Sequence, residues 1–355
     1  MKKLPRKLIL SVCSLAATAV CLTSTTYAWF AKNANAWTEE FDIRIHTDEG
    51  LEISVDGVNY YDSITKAQLK RAIALERYNL VNDEKTYAEL TSEDVANYGD
   101  TKLSPVSPDA NWNFFGYQTM DYPIDNYNDL IENGLYMPVN LTEKKATKSY
   151  LKFNLHFRAI PSSSDAKDSY KLVLADEAHN EGMPVSYFKG EATEITLHNE
   201  LSIIPEKDLR ENPLTPGLYK SSEKITVNPA DAMRLGITGT EETRIYELNE
   251  GLGSSAYLNA PQGLNNPDTN PMVTYFNNTH QRANLYLRDY DTEFTETVTT
   301  LDDLYPIGKF VRTGDSYNTV TATFYVWLDG FDADYLEGVD TESISFFLNF
   351  TKVEG

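Results

Sequence analysis

A chain whose apolar residues recur at every second position is committed to sheet, because successive side chains of a strand point to opposite faces. YLKFNLHFRAI, residues 150–160, is the cleanest case. Leu151, Phe153, Leu155 and Phe157 share one parity, while Lys152, Asn154, His156 and Arg158 share the other. In WTEEFDIRI, Trp37, Phe41, Ile43 and Ile45 alternate with Thr38, Glu40, Asp42 and Arg44, and LEISVDGVNYY continues the pattern with Leu51, Ile53 and Val55. YKLVLA, AMRLGI, TRIYEL, ANLYLR, TVTATFYVWLDG and SISFFLNFTKV extend the set, each read as strand. The Asp56-Gly57 pair predicts a tight two-residue hairpin turn, whose central residues need positive φ.

Helical signals are few. SITKAQLKRAIALERYN offers Ser63 or Thr65 as an N-cap, with Leu69, Ala72 and Ile73 at helical spacing, and TSEDVANY, residues 91–98, predicts a short helix. Both fall in an insertion at about 60–145. A second insertion, at about 249–282, holds the Gly-, Asn- and Pro-rich stretch NEGLGSSAYLNAPQGLNNPDTNPM and reads as loop. Many short strands, little helix and no linker or repeat predict one all-β domain: a jelly-roll-like antiparallel β-sandwich with long loop insertions and a few short helices.

The N-terminus carries an export pattern. MKKLPRK has four basic residues and no acid, and Leu8 to Leu22 is an apolar block shorter than the ~20 residues of a membrane-spanning helix. TYA then places Thr26 and Ala28 at the small-residue positions of a cleavage site. The expectation is a signal peptide at 1–28, cut between Ala28 and Trp29, with a single domain from 29 to 355. The competing reading is a retained anchor, with Trp29 and Phe30 in the headgroup zone. Cys13 and Cys21 both lie in the leader, so its removal leaves no disulfide, thiol nucleophile or cysteine metal site. The net charge is −22, and losing the four leader bases takes it to −26. So acidic a surface repels nucleic acid and anionic lipid and suits a secreted protein without stable membrane insertion.

Catalytic motifs are lacking. His46, His156, His179, His198 and His280 are scattered, with no H-E-x-x-H pair, and no G-x-S-x-G elbow or phosphate-binding glycine loop occurs. His156 falls on the polar parity of its strand, where solvation is expected. LDGFDADYLEGVDTE supplies a carboxylate cluster, Asp329, Asp332, Asp334 and Glu337, as a calcium candidate, although its spacing is not that of an EF-hand and a solvated acidic loop is the competing reading. No other cofactor is implied. NWNFFGY contains Trp112, Phe114, Phe115 and Tyr117, which read as the most exposed aromatic group and the best candidate for a ligand patch.

TYAWF, the spacer AKNANA and the alternating strand that follows resemble the SipW-dependent secreted proteins of Gram-positive bacteria, the TasA/camelysin-like group. The C-terminal TVTATFYVWLDGFDADYLEG and ISFFLNF and the central NPADAMRLGI also look like segments of proteins with this kind of leader. The resemblance covers about the first 60 and the last 40 residues. It implies processing by a dedicated signal peptidase after Ala28, a jelly-roll-like sandwich, and a non-enzymatic role at the cell surface or in a biofilm matrix. It further implies self-association, or association with other matrix proteins, in which an N-terminal strand of one subunit completes the sheet of the next. That donor segment would be residues 29–45, burying Trp37, Phe41, Ile43 and Ile45. The alternatives are the same strand pairing within its own chain and, in function, a surface adhesin or carbohydrate-binding module. Some relatives are classed as metalloproteases, a role the missing histidine motif counts against.

Overall fold

The computed structural model describes residues 42–47, 50–108, 111–119, 141–161, 167–175, 186–190, 193–196, 201–203, 217–219, 224–227, 229–239, 243–246, 306–329 and 344–355. The elements, in chain order, begin with β1 (Asp42–Thr47), β2 (Leu51–Ser54) and β3 (Ser63–Ile64), followed by helices α1 (Lys66–Val81) and α2 (Ser92–Tyr98). Next come β4 (Pro105–Pro108), β5 (Phe114–Thr119), β6 (Leu141–Lys145), β7 (Leu151–Ala159), β8 (Ser169–Leu174) and β9 (Tyr187–Gly190). The short strands β10 (Thr193–Thr196), β11 (Leu201–Ile203), β12 (Gly217–Tyr219) and β13 (Lys224–Val227) lead into β14 (Met233–Thr238) and β15 (Thr243–Tyr246). The chain closes with β16 (Gly308–Thr313), β17 (Ser316–Tyr317), β18 (Thr319–Asp329) and β19 (Ile344–Glu354).

Two sheets carry the fold. The first runs β17-β16-β8-β19-β1-β3, with β9 also on β19. The second runs β15-β14-β18-β7-β2, and β4, β5 and β6 extend it from the end of β18. The β10–β13 and β11–β12 ladders stand apart. The chain crosses between sheets from β1 to β2, β7 to β8 and β17 to β18, so covalent connections tie the two layers together. This is the all-β sandwich that the alternation predicts. Within the otherwise antiparallel ladders, β1–β19 and β4–β18 are parallel. Parallel neighbours require a long connection, and nearly the whole domain lies between β1 and β19. No helix among the described residues is long and apolar enough to cross a membrane.

The alternation becomes burial. On β7, Leu151, Phe153, Leu155, Phe157 and Ala159 are buried, and Arg158 on the opposite face is exposed. On β19 the core takes Ile344, Phe346, Leu348 and Phe350. Phe350 spans the layers: its ring meets Phe157 edge-on at 4.8 Å and Phe324 at 5.7 Å, both from the opposite sheet. Edge-to-face packing of this kind fills the space between sheets and orients each ring.

Thr65, rather than Ser63, caps α1: its hydroxyl accepts from the Gln68 amide, while the Gln68 side chain accepts from the Thr65 amide. Thr91 caps α2 in the same reciprocal manner through Asp94. Leu69, Ala72 and Ile73 of α1 join the core, and α1 packs against β7.

Asp56-Gly57 does not form a two-residue hairpin. Ile53 bridges to Tyr61, so residues 54–60 lie between the paired positions, and β2 takes β7 as its sheet partner. Only Gly57 has positive φ, at +70°. The Asp56 carboxylate instead organises the longer turn, accepting from the Val58 and Asn59 amides, the Asn59 side chain and the Ser54 hydroxyl.

Candidate functional site

The position of β1 decides what its apolar face can do. β1 lies between β19 and β3, with Ile43 opposite Phe346, Ile45 opposite Leu348 on one side, and Ile45 opposite Ile64 on the other. Ile43 and Ile45 are buried, whereas Arg44 and His46 project from the outer face. The His46 ring leans on Phe347, with ring centroids 5.4 Å apart. Residues 42–47 therefore pair within their own chain. Trp37 and Phe41, the other members of the expected apolar set, lie outside the described residues, as do Ala28 and Trp29.

The strand is secured at its C-terminal end. Thr47 is buried, its amide donates to the Asp62 carbonyl at 3.0 Å, and its hydroxyl reaches the carbonyls of Leu51 (2.9 Å) and Asp62 (3.1 Å). Gly50 takes φ +76° where the chain turns from β1 to β2. Its carbonyl accepts from the Ile160 amide and from Lys352 Nζ, each at 2.8 Å. A Cβ at Gly50 would stand 2.4 Å from that same Nζ. Gly50 is thus tied to the last strand, and in sequence only residues 48–50 separate β1 from β2.

Two members of the aromatic group from NWNFFGY, Trp112 and Phe114, pack against the sheet rather than standing exposed. Phe114 is fully buried, stacked on Tyr150 with centroids 3.9 Å apart. Trp112 is half-buried; it stacks on Tyr325 at 4.5 Å and meets Trp327 edge-on at 6.0 Å. The physical reason lies in β18. Its core parity is Val320, Ala322, Phe324, Val326 and Leu328, so Tyr325 and Trp327 emerge on the outer face. Trp112 and Phe114 cover them, and Tyr150 stacks on Phe114, making a second aromatic layer. Trp112 holds φ +60°, a conformation a bulky side chain rarely adopts, at the turn that brings its ring onto the sheet. Phe115 and Tyr117 lie on β5, opposite Lys145 and Glu143; their side chains lie outside the described set. Asp329 ends β18, while Asp332, Asp334 and Glu337 lie outside the described residues, so the calcium candidate has no described geometry.

Among the described residues no three His, Cys, Asp or Glu side chains gather as a metal site. His156 is half-buried rather than fully solvated, with Nδ1 2.9 Å from the Thr321 hydroxyl. Burial pushes its pKa below the ordinary imidazole value, with Asp56 opposing the shift. His156 lies opposite Ser54 in the β2–β7 register, but Ser54 is buried and its hydroxyl is engaged by Asp56 and by the Asp56 and Gly57 amides. That hydroxyl caps the turn.

Compared with protein-family models, curated proteins and solved structures, the chain matches none.

Proposed function

We propose that this protein is a secreted, non-enzymatic structural protein of the cell surface or extracellular matrix, and that it self-associates by exchanging its N-terminal strand. The observation that carries the reading is the place of β1. It is a strand with buried Ile43 and Ile45, paired over six residues with β19, and separated from β2 in sequence only by residues 48–50. Withdrawing it would expose the N–H and C=O row of β19 and two apolar holes. The same segment of a second copy supplies matching groups to both, because the contacts are identical in either arrangement. The expected leader fits this role, since export would deliver the chain without its signal. Phe114, one of the residues on which the adhesin reading drew, is buried and cannot contact a ligand.

The test uses cross-strand cysteines in the mature protein, which has no native cysteine if cut after Ala28. Arg44 and Phe347 are register partners on the outer face, so Arg44→Cys with Phe347→Cys should oxidise across the β1–β19 ladder. With filaments visible by negative-stain microscopy, strand exchange predicts disulfide-linked multimers on non-reducing gels. Monomers closed by an internal disulfide, from particles that never grow, would reject it.

A further inference from the structure

We propose that the cleft between the end of β2 and the start of α1 binds a neutral oligosaccharide. Glu52, Tyr60, Tyr61, Asp62, Ser63, Thr65 and Gln68 line it, around about 710 Å³ of space. That volume lies within the ~300–1,000 Å³ typical of ligand sites.

The walls are fixed before any ligand arrives. Ile53 and Tyr61 exchange both backbone hydrogen bonds, at 2.8 and 2.9 Å, and Thr47 holds the Asp62 carbonyl. Thr65 and Gln68 are locked in their capping box. The Arg158 guanidinium pairs with Glu52 and sits over the Tyr60 ring, 4.4 Å from its centroid. Rigid walls lower the entropy lost on binding.

Several groups inside this frame remain unspent. Tyr61 is 45% exposed. The carboxylate of Asp62 and the amide nitrogen of Gln68 take part in no hydrogen bond or ion pair among the described residues. The lining therefore combines an aromatic side chain with hydrogen-bond donors and acceptors, and Arg158 already neutralises Glu52. Such a surface suits a ligand that stacks through C–H groups and both donates and accepts through hydroxyls. An amine or metal cation would leave the amide donor unused, and an anion would meet Asp62 unpaired. No β1 side chain lines the cleft, and Thr47, which holds the Asp62 carbonyl, is supplied to that wall whether β1 comes from the same chain or from a second copy, so sugar binding is tested apart from strand exchange.

Calorimetric titration of the mature protein with cellotetraose, maltotetraose and chitotetraose tests this, with spermidine as the cationic probe. The expected result is saturable binding of at least one tetrasaccharide. Tyr61→Ala and Asp62→Asn should each weaken it by roughly tenfold, whereas Val58→Ala, at an exposed position outside the cleft, leaves it unchanged. Near-ultraviolet circular dichroism confirms that each variant is folded. Absence of saturable heat with all three sugars overturns the proposal. So does sugar binding indifferent to both cleft variants, or binding of spermidine alone.

Discussion

Arg77 and Asp100 meet at 2.8 Å through one guanidinium nitrogen and one carboxylate oxygen, and the arginine is almost wholly buried while the aspartate is about one-third exposed. The same guanidinium donates to the carbonyls of Tyr98, Asp100, Lys148 and Tyr150 at 2.7 to 3.1 Å, using Lys148 at the short end. One side chain of α1 thus binds the end of α2 to the segment that enters β7. Desolvation pulls its pKa down, opposed by Asp100, whose charge and hydrogen bond favour the cation.

Removing either partner should have unequal effects. Arg77→Met strands four carbonyls that the arginine satisfies, and is expected to destabilise the fold by about 3 kcal/mol. Asp100→Asn keeps a hydrogen-bonding group at a partly solvated position and should cost about 1 kcal/mol or less. Urea unfolding of both variants checks the ratio; equal losses would mean that the ion pair, not the carbonyl network, holds the corner.

Trp112 also packs over a glycine. A Cβ on Gly236 would stand 2.6 Å from the indole and 3.2 Å from Trp327. Gly236→Ala should therefore displace the Trp112 ring from Tyr325, lowering stability by about 1–3 kcal/mol. Loss of near-ultraviolet dichroism with far-ultraviolet signal retained is the expected signature. An unchanged aromatic spectrum would place the ring elsewhere.

At the centre of the sandwich, Phe350→Ala removes the ring that Phe157 and Phe324 share. The expected loss is about 3–5 kcal/mol. Val311→Ala, at a position 48% exposed, should stay within about 0.5 kcal/mol of wild type. Thermal unfolding of the two side by side separates a core effect from a general weakening of the chain.

Acid should erode the turn after β2. Burial tends to raise the Asp56 pKa, but hydrogen bonds from the Asn59 and Val58 amides, the Asn59 side chain and Ser54 prevail and hold it at about 2. A folded-state value below the unfolded one, ~3.9, means the contribution is complete above the unfolded value. It is lost as pH falls from about 4 toward 2. Asp56→Asn should flatten the stability profile in that window and leave its slope near neutrality unchanged. A variant profile parallel to wild type between pH 4 and 2 would contradict the assignment.

Much of this architecture is legible in local pattern. The parity of β7 and the apolar set on β19 follow from the requirement that alternate side chains face the core. The helix starts are legible because a capping oxygen acts over one turn of helix: Thr65 is one of the two candidate caps for α1, and Thr91 opens the stretch read as α2. The Asp56-Gly57 turn misleads for the opposite reason: the dipeptide favours a two-residue loop, yet β2 pairs with β7, and the local chain follows that choice. Arg77 gives only a faint signal, a cation among the apolar positions of α1, with no indication of which carbonyls it will meet.

The amino-acid sequence by itself determined that the chain forms strands, which face of β1, β2 and β7 is apolar and about where two helices begin, because those properties depend on neighbours a few residues away. The tertiary structure alone decided that β1 pairs in parallel with β19, that Phe114 and Trp112 cover Tyr325 and Trp327, and that Gly50 meets Lys352. Alternation specifies a face but no partner, and a partner some 300 residues away is selected only when burial is satisfied for the whole sandwich at once.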